Sequence, residues 1–484
     1  MSKAPLKILF VAAEAVPFAK VGGLADVAGS LPRAIRGLGH DIRLIMPRYG
    51  TISSSNFDFK PVCDPFTVPV GPRREQVHLI GTMLPPDLPA YLVWNDLYFS
   101  SRDQVYGFED DAQRFAVFNH AVLAALKQLN WKPDVIHVND WHTGMIPTWL
   151  RMSRRFDEFY DNVATLFTVH SLAYQGITGR LILKFAQMEA VAHLEVEQPG
   201  IVNWLAQGIE NADVVNTVSQ SYAQEILQPD LSGNLAPLLQ KRQDQLFGIL
   251  NGLDYSRWDP STDTSISSRF DSTSLNKRTV NKTALQQRAL LPLRSNIPLI
   301  GMVTRLDHVK GMDLMEPVLD WLLKQDVQFV LLGTGQPEYH DMFKDMQSQY
   351  PDKMHAFLIF DETLARRIYA GADIFLMPSY IEPCGLGQMI AMHYGCIPVV
   401  RAVGGLIDTV HDEADAPGHG TGFKFGRYTP EACIGSLQQA LAAYQDRNTW
   451  LPLQQRAMTA DFSWTSSAQR YIELYRRAIS LRGS

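Results

Sequence analysis

Residues 6–38 read LKILFVAAEAVPFAKVGGLADVAGSLPRAIRGL, and this stretch sets a pattern that the rest of the chain repeats. The apolar run at residues 6–13 predicts a buried β-strand, and residues 25–38 read as a helix. Between them lies the turn KVGGL at residues 20–24. Gly22 and Gly23 let the backbone approach a ligand, and a helix N-terminus attracts anions, so the turn suits a phosphate or a polar sugar oxygen with Lys20 as counter-charge. A plain tight turn explains the same residues about equally well.

Short apolar runs and helical segments alternate over nearly the whole chain. This repetition is typical of doubly wound α/β domains with parallel sheets. Strands are predicted at residues 6–13, 135–138, 164–169, 213–218 and 246–250 in the first half, and at 298–304, 327–333, 355–360, 373–378 and 398–402 in the second. Helices are predicted between them, as at residues 110–129, 312–324, 362–370 and 386–394.

A polar, irregular segment from residue 254 to about 277 separates the two halves. A chain of 484 residues exceeds one compact core and fits two large domains. We therefore predict one Rossmann-like domain over residues 1–253 and a second over residues 254–460. A last helix lies in residues 461–484, and the pattern alone leaves open whether it returns to the first domain.

The amino-acid composition indicates which kinds of partner and which cellular compartment to expect. The net charge of −6 argues against a nucleic-acid partner, because phosphate backbones demand clustered Lys and Arg. Four widely spaced cysteines form no C-x-x-C pair, which favours a reducing compartment and predicts neither disulfides nor a zinc site. No segment reaches the ~18 apolar residues of a membrane span, and the first residues read as a strand rather than a signal peptide. We expect a cytoplasmic protein with no membrane partner.

Two loops of the second half place charged groups after predicted strands. Arg305 and Lys310 lie in TRLDHVKG at residues 304–311, at the carboxyl end of a sheet, where they could clamp a diphosphate. Glu382 lies in SYIEPCGLGQ at residues 379–388, where it could accept hydrogen bonds from sugar hydroxyls. Solvated surface cations and a glutamate that caps its own helix are the alternatives.

Polar clusters of the first half also follow strands. Asp140 lies in NDWH at residues 139–142, and His170 lies in TVHS at residues 168–171, with YQG following at 174–176. Both strands end at one sheet edge, so these clusters are expected to meet there. Asn251, in the pair Asn251-Gly252, ends the last strand of this half. A structural histidine and a simple Asn-Gly turn remain alternatives.

In this order, the motifs resemble those of bacterial glycogen synthases and starch synthases, which are retaining glycosyltransferases of the two-domain GT-B type. The resemblance runs from about residue 7 to residue 480. It rests on KVGGL with Asp26, DWH at 140–142, His170 with YQG at 174–176, NGLD at 251–254, Arg305 with Lys310-Gly311, and EPCGL at 382–386.

The resemblance implies two Rossmann-like domains that face a deep cleft. It also implies transfer of glucose, with retention, from ADP-glucose to the non-reducing end of an α-1,4-glucan polymer or malto-oligosaccharide. In this family pattern Arg305 and Lys310 bind the diphosphate together with the backbone at Leu386 and Gly387, while Glu382, Asn251 and His170 hold the transferred glucose. Asp140 belongs to the acceptor side. The further binding positions are Lys20, Gly22 and Gly23 at the junction of phosphate and acceptor, Asp26, Cys384, Gly385, and Phe360 as a stacking partner for adenine.

No metal or other cofactor is expected, because side-chain cations would stabilise the leaving diphosphate and ADP-glucose is a co-substrate. Four positions depart from the family pattern: Val21 and Gly387 replace common threonines, Ser171 replaces an asparagine, and Ile390 removes the second glutamate of a pair eight residues apart. The departures leave two alternatives open. One is a related GT-B transferase with another donor or a small acceptor, and the other is a glucan-binding or priming protein without catalysis.

Overall fold

The computed structural model describes residues 4–153, 157–194 and 196–483, and it divides into two compact units. Unit 1 comprises Met1–Gly252 and Trp464–Ser484, and unit 2 comprises Leu253–Ser463. The outermost predicted domain limits, residues 1 and 484, lie outside the described residues. In the described ranges, no helix combines the length and the apolar character that crossing a membrane requires.

In unit 1, strands alternate with helices over most of the chain. Its strands are β1 (Lys7–Val11), β2 (Asp41–Pro47), β3 (Lys60–Pro61), β4 (Phe66–Val70), β5 (Arg73–Leu84), β6 (Leu88–Trp94), β7 (Val135–Asn139), β8 (Ala164–Val169), β9 (Ile177–Gly179), β10 (Ile201–Asn203), β11 (Val214–Thr217) and β12 (Leu246–Gly248). Its helices are α1 (Gly23–Gly37), α2 (Asp111–Gln128), α3 (Met145–Ser153), α4 (Leu181–Phe185), α5 (Trp204–Asn211), α6 (Gln220–Glu225), α7 (Pro229–Ser232), α8 (Ala236–Lys241) and, after unit 2, α17 (Trp464–Gly483).

The main sheet of unit 1 has the order β12-β11-β8-β7-β1-β2-β6-β5-β3, with β4 paired to β5. Strands from β12 to β6 are parallel, whereas β5 runs antiparallel to β6. The central strands β7 and β8 are buried along their whole length, as expected for parallel strands that are covered on both faces. Their carboxyl ends therefore lie side by side at one edge.

Helix α17 packs on the sheet of unit 1. The hydroxyl of Tyr475 lies 2.8 Å from Nδ1 of His137 on β7, and Asn216 on β11 donates to the hydroxyl of Tyr471 at 2.9 Å. Both tyrosines are fully buried. The last helix of the chain thus completes the core of the first unit.

Unit 2 contains a six-stranded parallel sheet of order β15-β14-β13-β16-β17-β18. Its strands are β13 (Leu299–Val303), β14 (Gln328–Leu332), β15 (Met354–Phe357), β16 (Ile374–Met377), β17 (Ile397–Arg401) and β18 (Phe423–Phe425). Its helices are α9 (Arg278–Arg288), α10 (Met315–Leu322), α11 (Pro337–Gln349), α12 (Glu362–Gly371), α13 (Gly387–His393), α14 (Gly405–Thr409), α15 (Pro430–Gln445) and α16 (Arg447–Thr459). The order places β13 beside β16, although β14 and β15 lie between them in the chain.

The five strands predicted in each half are confirmed, with ends that differ by at most three residues. The helix predicted from residue 312 begins at Met315 instead, because Met312–Leu314 forms a tighter 3-10 turn. Strands that were not predicted from sequence are β2, β6 and β18 of the parallel sheets, the short pair β9 and β10, and β3 to β5. Burial alternates along β4, as is usual for a strand with one covered face, so this region offers no continuous apolar run.

Candidate active site

The centre of the site in unit 2 is an ion pair between Lys310 and Glu382. The ammonium Nζ of Lys310 lies 2.7 Å from Oε2 of Glu382, and the hydroxyl of Ser379 donates to the same oxygen at 2.9 Å. The side chain of Glu382 is buried and that of Lys310 is mostly buried. The two residues meet because β13 and β16 are neighbours in the sheet, so the loops that follow these strands share one edge.

Backbone contacts hold the two loops together. The carbonyl of Val309 accepts hydrogen bonds from the N–H groups of Tyr380 at 2.9 Å and Ile381 at 3.2 Å. Asp307 caps the turn His308–Lys310 by accepting from the N–H of Lys310 at 3.1 Å. Gly311 has a φ of +76°, and a Cβ there would lie 2.1 Å from the carbonyl oxygen of Pro378. Only glycine fits where the loop of Lys310 contacts the loop of Glu382, and this close contact fixes the position of Lys310 relative to the sheet.

A third loop supports Glu382 and the residues after it. The N–H of Gly405 donates to the carbonyl of Glu382 at 3.0 Å. Gln388, which is fully buried, donates from Nε2 to the carbonyls of Cys384 at 3.1 Å and Gly385 at 2.9 Å, and to the hydroxyl of Thr409 at 3.0 Å. Gln388 lies in the stretch at residues 379–388 but was given no role, because its bonds to Cys384 and Gly385 depend on how that loop folds. Gly405 was not predicted because its partner, the carbonyl of Glu382, lies in another loop.

The other predicted binding positions of unit 2 are arranged around this pair. Gly385 has a φ of +76°, Leu386 caps α13, and Gly387 begins that helix, while Cys384 is buried. Arg305 differs: its side chain is 70% exposed and its guanidinium lies 3.4 Å from Asp307. Phe360, beyond the end of β15, is 87% exposed. Both side chains are therefore accessible to a ligand.

In unit 1, the structure brings Asp140 and His170 together at the ends of β7 and β8. The N–H of His170 donates to Oδ1 of Asp140 at 2.7 Å, and Nε2 of His170 lies 2.9 Å from Oδ1 of Asn139. The amide Nδ2 of Asn139 donates to the carbonyl of Val11, so its Oδ1 must accept from His170. This contact places the proton of a neutral His170 on Nε2 and leaves Nδ1 as an acceptor.

Burial changes the pKa values of the two titratable side chains at this edge of the sheet. It raises the pKa of Asp140 to about 7, with a further raising contribution from Glu14, against the lowering effect of the His170 hydrogen bond. Burial lowers the pKa of His170 to about 3. Near neutral pH the histidine is therefore uncharged, and the aspartate titrates. Asp140 also has a φ of +54°, a backbone strain that costs about 1–3 kcal/mol and clusters at functional sites.

The turn at residues 20–24 is held by the carboxylate of Glu14. The carboxylate of Glu14 accepts from the N–H of Val21 at 2.5 Å and from the N–H of Gly22 at 3.1 Å, and it is almost completely buried. A carboxylate of the protein itself therefore already accepts from the N–H groups of Val21 and Gly22. Lys20 lies 2.8 Å from Asp26, which partly neutralises its charge. Gly23 begins α1.

Glu14 is a residue that the sequence analysis missed. Its signal is a single carboxylate at the end of a buried apolar strand, eight residues before a Gly-Gly pair. Burial raises its pKa, and the N–H groups of Val21 and Gly22 act against that increase. Glu14 therefore fixes the turn to the end of β1.

Two other predicted segments complete the edge of unit 1. Gly176 has a φ of +63°, and a Cβ there would lie 2.3 Å from the indole of Trp141, so the YQG segment packs directly on the DWH segment. Asn251 is buried, and its Oδ1 has no hydrogen-bond partner among the described residues. A buried unpaired acceptor is rare and is available to a hydroxyl or amine of a ligand.

No group of three or more His, Cys, Asp or Glu that could hold a metal ion occurs within the described parts of the chain. Unit 1 thus assembles Asp140, His170, Trp141 and the turn held by Glu14 at one sheet edge. Unit 2 assembles Lys310, Glu382 and the loop around Gly385 at another. Each group lies where open α/β sheets bind ligands.

Comparisons with known proteins identify the family. The starch synthase catalytic domain matches residues 7–241, and the glycosyl transferases group 1 family matches residues 285–451. The glycogen synthase of Moorella thermoacetica is 45% identical over 99% of this chain and 98% of its own length. That of Geotalea daltonii is 42% identical over 99% of this chain and its whole length. The chain belongs to the glycogen synthase family. It is accordingly a hexosyltransferase.

Solved structures agree with this family. The catalytic domain of starch synthase IV from Arabidopsis thaliana, solved with ADP and acarbose bound, has a TM-score of 0.90 and 32% identity over 99% of this chain and all of that chain. Sucrose-phosphate synthase from Thermosynechococcus elongatus has a TM-score of 0.60 at 19% identity, over 98% of this chain and 99% of that chain, which shows the fold alone. This glycogen synthase family member has the GT-B fold with two Rossmann-like domains.

Proposed function

We propose that this chain transfers glucose, with retention of configuration, from ADP-glucose to the non-reducing end of an α-1,4-glucan. The observation that carries the proposal is the Lys310–Glu382 ion pair at 2.7 Å, built by two loops at the carboxyl edge of the sheet of unit 2. ADP is the nucleotide bound to the Arabidopsis relative, which supports an adenine nucleotide as the leaving group here.

Unit 2 is the proposed donor site. Arg305 has a mostly exposed guanidinium that can turn from Asp307 to a diphosphate, and Lys310 supplies a second cation beside it. Cations fixed before the reaction stabilise the charge that develops on the leaving diphosphate. The exposed ring of Phe360 offers a stacking face for the base, and Glu382 accepts hydrogen bonds from glucose hydroxyls.

Unit 1 supplies Asp140 for the proposed acceptor side, and His170 and Asn251 to hold the transferred glucose. A neutral His170 has a free acceptor at Nδ1, because its Nε2–H donates to Asn139. Asp140 lies beside it with a carboxyl group that titrates near neutral pH, and Asn251 has an unpaired buried oxygen. These groups can orient sugar hydroxyls without adding a strong positive charge.

The proposed reaction occurs on one face of the sugar. The bond between glucose and phosphate loosens, the acceptor 4-hydroxyl attacks from the face that the diphosphate leaves, and a phosphate oxygen takes its proton. A double displacement requires a carboxylate at the anomeric carbon. Glu382 is engaged by Lys310 and Ser379, and Asp140 accepts from His170, so both carboxylates are better suited to holding groups in place. We propose no metal and no cofactor besides the co-substrate ADP-glucose.

We propose a cytoplasmic location, a nucleotide sugar and an α-glucan or malto-oligosaccharide as partners, and no nucleic-acid or membrane partner. The wide spacing of the four cysteines and the net charge of −6 support this assignment.

The test is an assay of the purified chain with ADP-glucose or UDP-glucose, each with glycogen, maltotriose or a monosaccharide, with and without EDTA. We expect ADP release matched by glucan elongation, insensitivity to EDTA, and removal of the added glucose by an exo-acting amylase. Transfer to small sugars alone would identify a related transferase. Glucan binding without ADP release would identify a priming protein instead.

A further inference from the structure

A cavity of about 330 Å³ opens on unit 1 apart from the groups described above. Its walls come from β5 and from the end of β6 with the turn that follows. They are formed by Glu75, Gln76, His78, Trp94, Asp96 and Leu97, together with Asn95. The volume lies at the lower end of the range for small-molecule sites.

Trp94 is the central feature of this cavity. Its side chain is 39% exposed, unusual for a residue that usually packs into a core. The indole Nε1–H donates to Asp96 at 2.7 Å, and the ring of His78 lies 5.9 Å away. The polar atom of the indole is therefore satisfied by the protein, while part of the ring remains open to a ligand.

The indole is held in place before any ligand arrives. Asn95, next to Trp94, is buried, donates to the carbonyl of Gln76 at 3.0 Å and accepts from the N–H of Tyr98 at 3.0 Å. These bonds join the turn to β5. A rigid aromatic face loses little entropy when a ligand stacks on it.

The charges around Trp94 select the class of ligand. Glu75 and Asp96 supply carboxylates, and none of the described residues that line the cavity is a Lys or an Arg, although Arg48 interacts electrostatically with Asp96 from outside the lining. Two carboxylates repel a nucleotide diphosphate but accept hydrogen bonds from the hydroxyl groups of a neutral sugar. A flat ring flanked by such acceptors suits a sugar, which has an apolar C–H face and polar edges.

The cavity lies at the same edge of the sheet as Asp140, which belongs to the proposed acceptor side. Val138, Val11, Ile45 and Tyr91 form one row across β7, β1, β2 and β6. Asp140 follows that row by two residues and Trp94 by three, so both lie at the same edge of the sheet. Three strand spacings separate them, about 14 Å. A glucan chain of a few sugar residues can cover that distance.

We propose that the Trp94 cavity is a distal acceptor subsite, which binds the glucan several residues away from its reacting end. This inference rests on the proposed function, since it assumes that the acceptor is a glucan. A second contact on the same chain raises the effective concentration of the reacting end. The subsite therefore favours long acceptors over short ones.

The test compares Trp94→Ala, Trp94→Phe and wild type on glycogen and on maltotriose. We expect Trp94→Ala to raise KM for glycogen about fivefold or more, with KM for maltotriose, KM for ADP-glucose and kcat within about twofold of wild type. Trp94→Phe, which keeps an aromatic face, should restore most of the glycogen affinity. Leu290→Ala, at a residue 80% exposed on unit 2, is the matched surface control.

Retardation in gels that contain glycogen measures binding without catalysis. We expect wild type and Trp94→Phe to be retarded more than Trp94→Ala. Equal retardation, or an unchanged KM for glycogen, overturns the subsite even when wild type elongates both acceptors and the proposed function stands. If wild type elongates neither acceptor, the proposed function fails, and the gel still decides whether Trp94 binds glucan.

Discussion

The ammonium group of Lys310 lies 2.7 Å from Oε2 of Glu382, although 72 positions separate the two residues in the chain. The pair is formed by two loops that a shared carbonyl, that of Val309, ties together. Each member of the pair holds the side chain of the other in place.

Removal of either member of the pair should abolish most activity. We expect Lys310→Ala and Glu382→Ala each to lower kcat by at least about a hundredfold, because each removes a fixed charge from the proposed donor site. Lys310→Ala should also destabilise the fold by about 3 kcal/mol, since it leaves the buried Glu382 unpaired. Steady-state kinetics and urea unfolding measure the two effects.

The control for this prediction is Lys324→Ala. Lys324 pairs with Asp320 at 2.8 Å, but both side chains are more than half exposed, so its removal should change neither activity nor stability measurably. Activity of Lys310→Ala within a few fold of wild type would contradict the assignment of the diphosphate site.

Gly311→Ala should damage the site through the backbone. The new Cβ would lie 2.1 Å from the carbonyl oxygen of Pro378 at a φ of +76°, so the loop that contains Lys310 must move away from the loop that contains Glu382. We expect kcat to fall at least tenfold, roughly the effect of a small displacement of a catalytic group. Gly426→Ala, where a Cβ meets nothing within 4 Å, is the matched control. Equal activity of the two variants would show that the loop contact is unimportant.

Asp140 should make stability depend on pH. Its pKa is raised from 3.8 to about 7 in the folded chain, so between these values the folded state binds more protons than the unfolded state. Its contribution to stability therefore falls as the pH rises through this window. Asp140→Asn keeps an acceptor for the N–H of His170 but does not titrate. We expect this variant to gain stability relative to wild type between pH 5 and pH 8 in urea unfolding, and an equal difference at both values would refute the prediction.

Glu14 should control the turn at residues 20–24. Glu14→Ala leaves the N–H groups of Val21 and Gly22 without their acceptor in the chain. Glu14→Gln keeps an acceptor oxygen and should behave more like wild type. We expect Glu14→Ala to raise KM for the acceptor or the donor and to lower the urea midpoint. If Glu14→Ala matches Glu14→Gln in both measurements, the carboxylate does not hold the turn.

Much of the fold follows from local patterns. The strands β7, β8, β13 and β16 are short apolar runs that are buried on both faces, and such runs can be read without knowledge of their neighbours. Strands β4 and β5 lie at the antiparallel end of the sheet, and partial burial obscures their pattern.

The candidate site divides in the same way. Lys310, Glu382, Asp140 and His170 are recognisable because their residue types and their positions after strands suit phosphate and sugar. Gln388 and Glu14 are not, since their function lies in hydrogen bonds to backbone groups that only the folded loop or turn brings within reach. Their roles in holding the loops become visible only when the partners are known.

The sequence by itself determined the alternation of strands and helices, the division near residue 254 and the chemical types of the groups at the strand ends. The meeting of Asp140 and His170 was expected from sequence, but tertiary structure alone decided that Lys310 meets Glu382, because strand order is not encoded in hydrophobic period: β13 lies beside β16. Tertiary structure also decided how two side chains titrate, because burial raises the pKa of Asp140 and lowers the pKa of His170. At the turn at residues 20–24, it brought the carboxylate of Glu14 to the N–H groups of Val21 and Gly22, because a buried acid must find donors nearby.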